Sequence, residues 1–315
     1  MKFKSNKDIE LNKLSIKFLL KKLIFRLFVY LKRLKSNFEN IERYVKLTGD
    51  SIFLKLNDNN YYLNLKNKLQ RNVYIYNNFE NHLDDIFYSS IKSNSIVVDV
   101  GANVGILSIK FSNFLKKKNE NNNNESVVVS FEPSKKTFKE LEFNIDLNKD
   151  EYHTKIHPFN LGVGMNNETK IFYETHDPDM QHSYSFIKNN LFSKIKDNEL
   201  IKYKVNVVSL DNFLLEKYNK EISLIKIDTG GDELDVIKGS KKIINKFGTT
   251  LVFEFDRKKL KYIKKDVSEY NFLFDIGYKV FLILENGFLY QINNFKDAEN
   301  YKGKFDEICC IKFKN

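Results

Sequence analysis

An apolar run, Ile96-Val97-Val98-Asp99-Val100, breaks at Gly101, and the chain then enters a helical stretch from Val104 to Leu115. No other feature of the sequence limits the fold as much, because the same order returns with Val127–Phe131 apolar and Lys135–Leu147 helical. Short apolar runs alternating with amphipathic helices predict a parallel sheet covered on both faces, since each helix buries its stripe on the way to the next strand. Thr154–Phe159, Leu224–Asp228, Thr250–Phe255, Val280–Leu284 and Ile308–Phe313 read as further strands. Lys170–Glu174 reads as a side strand, and Glu233–Phe247 and Tyr262–Asp275 as helices. The expectation is a doubly wound α/β fold with a seven-stranded, mostly parallel sheet.

In such sheets ligands bind beyond the carboxyl ends of the strands, where strand order reverses. Gly101 can take backbone angles closed to other residues. Gly105 lets the next helix pack closely and leaves N–H groups for an anionic ligand group. A nicotinamide dinucleotide asks for G-x-G-x-x-G, whereas this turn has G-x-x-x-G with Asp99 ahead of it. An acid there suits a ligand that carries an ammonium, as S-adenosylmethionine does. Glu132, after Val129-Ser130-Phe131, stands where a carboxylate accepts from two ribose hydroxyls. That geometry serves a methyl donor or a dinucleotide, and the glycine spacing decides between them. A run of four asparagines after Glu120 explains the stretched distance from the glycine turn. Asp99, Gly101, Asn103, Gly105 and Glu132 are therefore the cofactor-binding candidates. Each alone fits a plain strand-to-helix turn equally well; the set does not.

Over Ser95 to Glu254 these residues resemble the FkbM-type methyltransferases. The resemblance rests on Val98–Gly105, Phe131-Glu132-Pro133 with Asn144, Val208-Ser209-Leu210-Asp211, Ile225–Leu234 and Lys238-Gly239. It implies a Rossmann-like, class I methyltransferase fold. It also implies S-adenosylmethionine-dependent methyl transfer to the hydroxyl of a sugar, glycan or secondary metabolite. Where the family usually reads Lys-Ile-Asp-Val-Glu-Gly-Ala-Glu, this chain has Thr229-Gly230-Gly231-Asp232 after Asp228. The first glutamate is thus Gly230, and any role it has is lost or moved to Asp232. By topology Asp228 is the first candidate for catalysis and Glu233, one helical turn later, the second; helix capping is the alternative for both. Glu254 is either a site acid or a solvated one. A nucleic-acid methyltransferase and a binding module without catalysis are the competing functions, the second favoured by Gly230.

Charge is concentrated at one end. Residues 1–46 hold thirteen Lys or Arg against four Asp or Glu, leaving only +2 of the net +11 for the rest of the chain. A nearly neutral body argues against a nucleic-acid groove beside the site. Ile16, Leu20, Leu23, Leu27, Leu31, Leu34, Phe38 and Ile41 recur at helical spacing opposite basic residues, and no uncharged run there is long enough to span a bilayer. Residues 1–46 are expected to form a basic amphipathic helical segment, lying on an anionic membrane surface or packed on the domain. Residues 47–94, with short β runs such as Tyr61-Tyr62-Leu63, are expected to form a small α/β or β lead-in, and residues 95–315 the methyltransferase domain. The only two cysteines, Cys309 and Cys310, are adjacent in a strand and face opposite ways. With no disulfide framework, a cytoplasmic, possibly membrane-peripheral setting is the reading. No metal set is proposed: His176 and His182 share a loop at a spacing unlike that of metal ligands.

Overall fold

The structure is a computed structural model that describes residues 51–119, 126–149, 154–175 and 200–313. The predicted helical segment of residues 1–46, with its membrane reading, and the histidines at 176 and 182 lie outside them. Among the described residues no helix is long and apolar enough to cross a membrane.

The chain opens with a hairpin, β1 (Ser51–Leu56) and β2 (Asn59–Asn64), then α1 (Lys68–Tyr76) and α2 (Asp84–Ser90). The predicted alternation follows: β3 (Ile96–Val100), α3 (Ile106–Lys118), β4 (Val127–Phe131), α4 (Lys135–Asp146) and β5 (Lys155–Phe159). After β6 (Gly162–Val163), β7 (Glu168–Thr175) and β8 (Leu200–Val208) come α5 (Leu210–Lys217) and β9 (Ile222–Ile227). The chain continues through α6 (Glu233–Lys238), α7 (Lys241–Phe247), β10 (Thr250–Glu254), α8 (Arg257–Tyr262) and α9 (Phe272–Asp275). It ends with β11 (Lys279–Leu284), β12 (Leu289–Ile292), α10 (Phe295–Asn300) and β13 (Phe305–Ile311).

The main sheet has eight strands in the order β12-β11-β13-β10-β9-β3-β4-β5, parallel from β10 to β5 and antiparallel beyond. From β3 the chain steps outward through β4 to β5, then crosses to β9 and steps the other way to β10. The switch point therefore lies between β3 and β9. One face packs Val97, Val128, Leu224, Val252 and Cys309 under α2 and α3; the other packs Val98, Ile225, Leu251, Phe253 and Cys310 under α5, α6 and α7. The two cysteines thus lie on opposite faces and are unpaired.

Three expectations are corrected. The sheet has eight strands rather than seven because β12, a short exposed strand, folds back on β11. The helix expected over Glu233–Phe247 is two helices. At the break Gly239 lies against the Gly164 carbonyl oxygen, 2.1 Å from where a Cβ would sit, and Asp211 accepts from Lys242 N and Ile243 N to start α7. The helix expected near Tyr262–Asp275 is interrupted as well: Lys264 is left-handed (φ 54), and Asp266 caps a 3₁₀ turn that leads into α9. A second, three-stranded sheet, β6-β8-β7, was not anticipated, although Tyr203, Val205 and Val207 alternate as a half-buried strand would.

The lead-in is tied to the glycine turn through Asn144 on α4. Its Oδ1 accepts from Tyr62 N (2.7 Å) and its Nδ2 donates to the Val104 carbonyl (2.9 Å). Asn148, one turn on, joins Asn60 in the same way (2.8 and 2.7 Å).

Candidate functional site

Strand register builds the site. Ser130, Asp99, Lys226 and Val252 are neighbours across β4, β3, β9 and β10. Two residues further along each strand, on the same face, stand Glu132, Gly101, Asp228 and Glu254. These line a cavity of about 390 Å³ at the carboxyl edge of the sheet, over the switch point. Leu161, Val163 and Phe172 form an apolar wall beyond Glu132, and Phe79 and Glu80 of the lead-in close the side above Lys226.

The glycine turn has the strain its sequence implies. Gly101 and Gly105 have φ of 81 and 88, and Asn103, left-handed at φ 49, is the one non-glycine among these three. A Cβ on Gly105 would sit 2.6 Å from Leu141 Cδ1, so the glycine lets α3 and α4 approach. Glu132 is buried and locks the turn: Oε2 accepts from Asn103 N (2.9 Å) and Oε1 from Ser134 N (2.8 Å). Burial pushes its carboxyl up to about 8, although those two N–H groups pull the other way. Asp99 Oδ2 accepts from Ser108 Oγ (2.5 Å), which in turn receives Ser130 Oγ (2.8 Å). Burial raises Asp99 to about 6 against the pull of Ser108 and Lys226.

The two catalytic candidates part company. Asp228 faces the cavity with an exposed side chain. Glu233 is buried at the start of α6, where Oε1 accepts from Thr229 N and Oγ1 (both 3.1 Å) and Gly231 N (2.9 Å). It is not among the cavity-lining residues, and its contacts are those of a brace for the 229–231 loop. Asp232 is also buried off the cavity wall, so it does not stand in for the missing glutamate. Glu254 does line the cavity, with Lys259 Nζ 3.5 Å away; burial and the neighbouring Asp228 push it up to about 8.

Two further residues, Lys226 and Glu80, were missed. Lys226 is 1% exposed in the middle of the sheet, with Glu80 Oε2 at 3.9 Å. A lysine inside the apolar run Leu224–Ile227 was the available signal for the first. Glu80 has none in sequence, since only folding carries the lead-in to the strand ends. In all, six acids (Glu80, Asp99, Glu132, Asp228, Glu254, Asp256) and two lysines (Lys226, Lys259) face the cavity. Among the described residues no three His, Cys, Asp or Glu side chains are grouped to hold a metal ion.

Residues 99–288 match the Methyltransferase FkbM domain. Methyltransferase 1 of Beauveria bassiana (strain ARSEF 2860) is 28% identical over 154 residues, 46% of this chain and 58% of its own length. Methyltransferase sdnD of Sordaria araneosa is 26% identical over 183 residues, 51% of this chain and 65% of its own length. The chain thus spans less than two thirds of the length of these curated relatives. Among solved structures, the FkbM methyltransferase from Methylobacillus flagellatus KT aligns over 70% of this chain and 44% of its own, at 16% identity and a TM-score of 0.41.

Proposed function

The chain belongs to the FkbM methyltransferase family, and from that premise we propose that it transfers a methyl group from S-adenosylmethionine to a hydroxyl of a sugar, glycan or secondary metabolite. The observation that carries this reading is the cavity in which the glycine turn, Glu132 and Asp228 meet over the switch point.

The donor set fits the cofactor. A carboxylate has roughly four acceptor positions; Glu132 commits one on each oxygen to backbone N–H groups, which leaves capacity for two ribose hydroxyls. Leu161, Val163 and Phe172 offer an apolar wall to a purine beside it. A ligand with a sulfonium and an ammonium would favour the ionised forms of the acids that face the cavity. When bound, S-adenosylmethionine supplies a methyl carbon open to in-line displacement.

The chain's own part is to hold the acceptor oxygen in line, which is where most of the acceleration in such a transfer lies. Our candidate to take the hydroxyl proton is Asp228, which faces the cavity, and Glu254 lines the cavity at the adjacent strand end. Gly230 widens the cavity wall where the family carries a glutamate.

Calorimetric titration with S-adenosylmethionine, then formation of S-adenosylhomocysteine over a panel of hydroxylated acceptors, tests the proposal. Binding with turnover on such an acceptor is expected. No binding at millimolar cofactor would sink it, and binding without turnover on any acceptor would favour a module that has lost catalysis.

A further inference from the structure

Lys226 and Glu80 form a pair whose polar groups are left open toward the cavity. The Lys226 side chain is 1% exposed and, among the described residues, its ammonium makes no hydrogen bond; the carboxylate oxygen Glu80 Oε2 stands 3.9 Å away. That oxygen is itself buried without a hydrogen-bond partner. A charge-assisted hydrogen bond is about 2.8 Å long, so the two groups lie within ion-pair range without bonding to each other. Here an ammonium with three donors and a carboxylate oxygen with free lone pairs line the same cavity, side by side.

Groups of opposite charge held this way match a ligand end that carries both charges. We propose that Lys226 and Glu80 grip an α-amino-acid zwitterion, the ligand carboxylate on the Lys226 ammonium and the ligand ammonium on the Glu80 carboxylate. This rests on the reading of the cavity as a site for S-adenosylmethionine, one end of which is such a zwitterion. The spacing agrees. Glu132 follows β4 and Lys226 lies on β9 with β3 between them, so two strand separations, about 10 Å, and a two-residue step along the strands divide their backbones. A donor with its ribose on Glu132 extends across Gly101 and brings its amino-acid end there.

Asp99, the acid that the sequence suggests for the ligand ammonium, has one oxygen taken by Ser108, whereas Glu80 presents an open one. Glu80 precedes residues 99–288, the part that matches the family. It is held on the lead-in by a left-handed backbone (φ 50). The lead-in therefore supplies half of the zwitterion grip, and the matched region alone lacks it.

The test compares two probes in calorimetric titrations of the full chain. S-adenosylhomocysteine and 5′-methylthioadenosine share adenosine and a neutral sulfur and differ in the amino-acid end. In wild type the first is expected to bind more tightly. In Lys226→Met and Glu80→Gln its affinity should fall about tenfold, a loss of 1.4 kcal/mol, while 5′-methylthioadenosine binds as before. Retained binding of the smaller probe shows that a variant is folded, and Glu80→Gln, which keeps side-chain shape, decides the matter if Lys226→Met does not fold. Unchanged discrimination between the probes in a folded variant overturns the proposal and leaves the cofactor reading standing. Failure of wild type to bind either probe overturns both.

Discussion

Gly101 and Asp228 meet backbone to backbone: a Cβ on Gly101 would lie 1.8 Å from the Asp228 carbonyl oxygen. The contact joins the ends of the two strands between which the strand order reverses, and it brings the glycine turn and the leading catalytic candidate to one wall of the cavity. Asp228 N also donates to the Val100 carbonyl (2.9 Å), so the two strand ends are fixed to each other from both sides.

Gly101→Ala is therefore expected to be severe. The added methyl meets backbone rather than a movable side chain, and alanine disfavours φ of 81. A loss of about 2 kcal/mol or more in a urea melt, together with loss of S-adenosylmethionine binding, is the expected result.

Asp228→Asn and Glu233→Ala should separate chemistry from support. Asp228 faces the cavity, so the asparagine variant should keep wild-type stability and lose about a hundredfold or more in kcat on whichever acceptor is found. Glu233→Ala leaves Thr229 N and Gly231 N without an acceptor, which costs about 1–3 kcal/mol in stability. Paired urea melts and turnover assays check both; equal stability loss in the two variants would count against the division of roles.

Restoring the family glutamate with Gly230→Glu is expected to harm rather than help. Gly230 has φ of 74 and Gly231 φ of 126, so the loop is built on angles that glycine adopts readily and a glutamate does not. A left-handed glutamate costs about 1–2 kcal/mol. A lowered melting temperature without any gain in turnover is the outcome that fits.

The unliganded protein should lose stability as pH rises from about 5 to 8.5. In the unfolded chain Asp and Glu titrate near 4. In the fold, burial raises Asp99 to about 6, Glu80 to about 7 and Glu132 to about 8. Across that interval the folded state holds more protons than the unfolded one, so each group's contribution fades as pH climbs through its folded value. Urea midpoints measured at intervals over this range should fall; Glu132→Gln, which cannot titrate, should show a shallower fall.

Alternation of apolar runs and amphipathic stretches was enough to read the parallel sheet, because burying a helix stripe on a strand leaves few other arrangements. The φ values of the glycine turn were legible because they are set within a few residues of chain, and Glu132 was legible from its place at a strand end, although the Asn103 N–H that it accepts from is 29 residues away. Local signals did less well where tertiary contacts interrupt an apolar pattern. The helix expected through Gly239 breaks because another backbone, at Gly164, needs that space, and nothing near Gly239 in sequence announces it.

The amino-acid sequence by itself determined the doubly wound fold, the family and the residues that stand at the carboxyl edge of the sheet, since these follow from the order of apolar runs, helices and glycines. Only the tertiary structure decided what those residues do. It turned Glu233 into a brace by folding its carboxylate onto the loop before it, left Asp228 facing the cavity, and brought Glu80 to Lys226. The physical reason is that a side chain's role depends on which groups share its burial, and that is set by strand register and by where a distant segment packs.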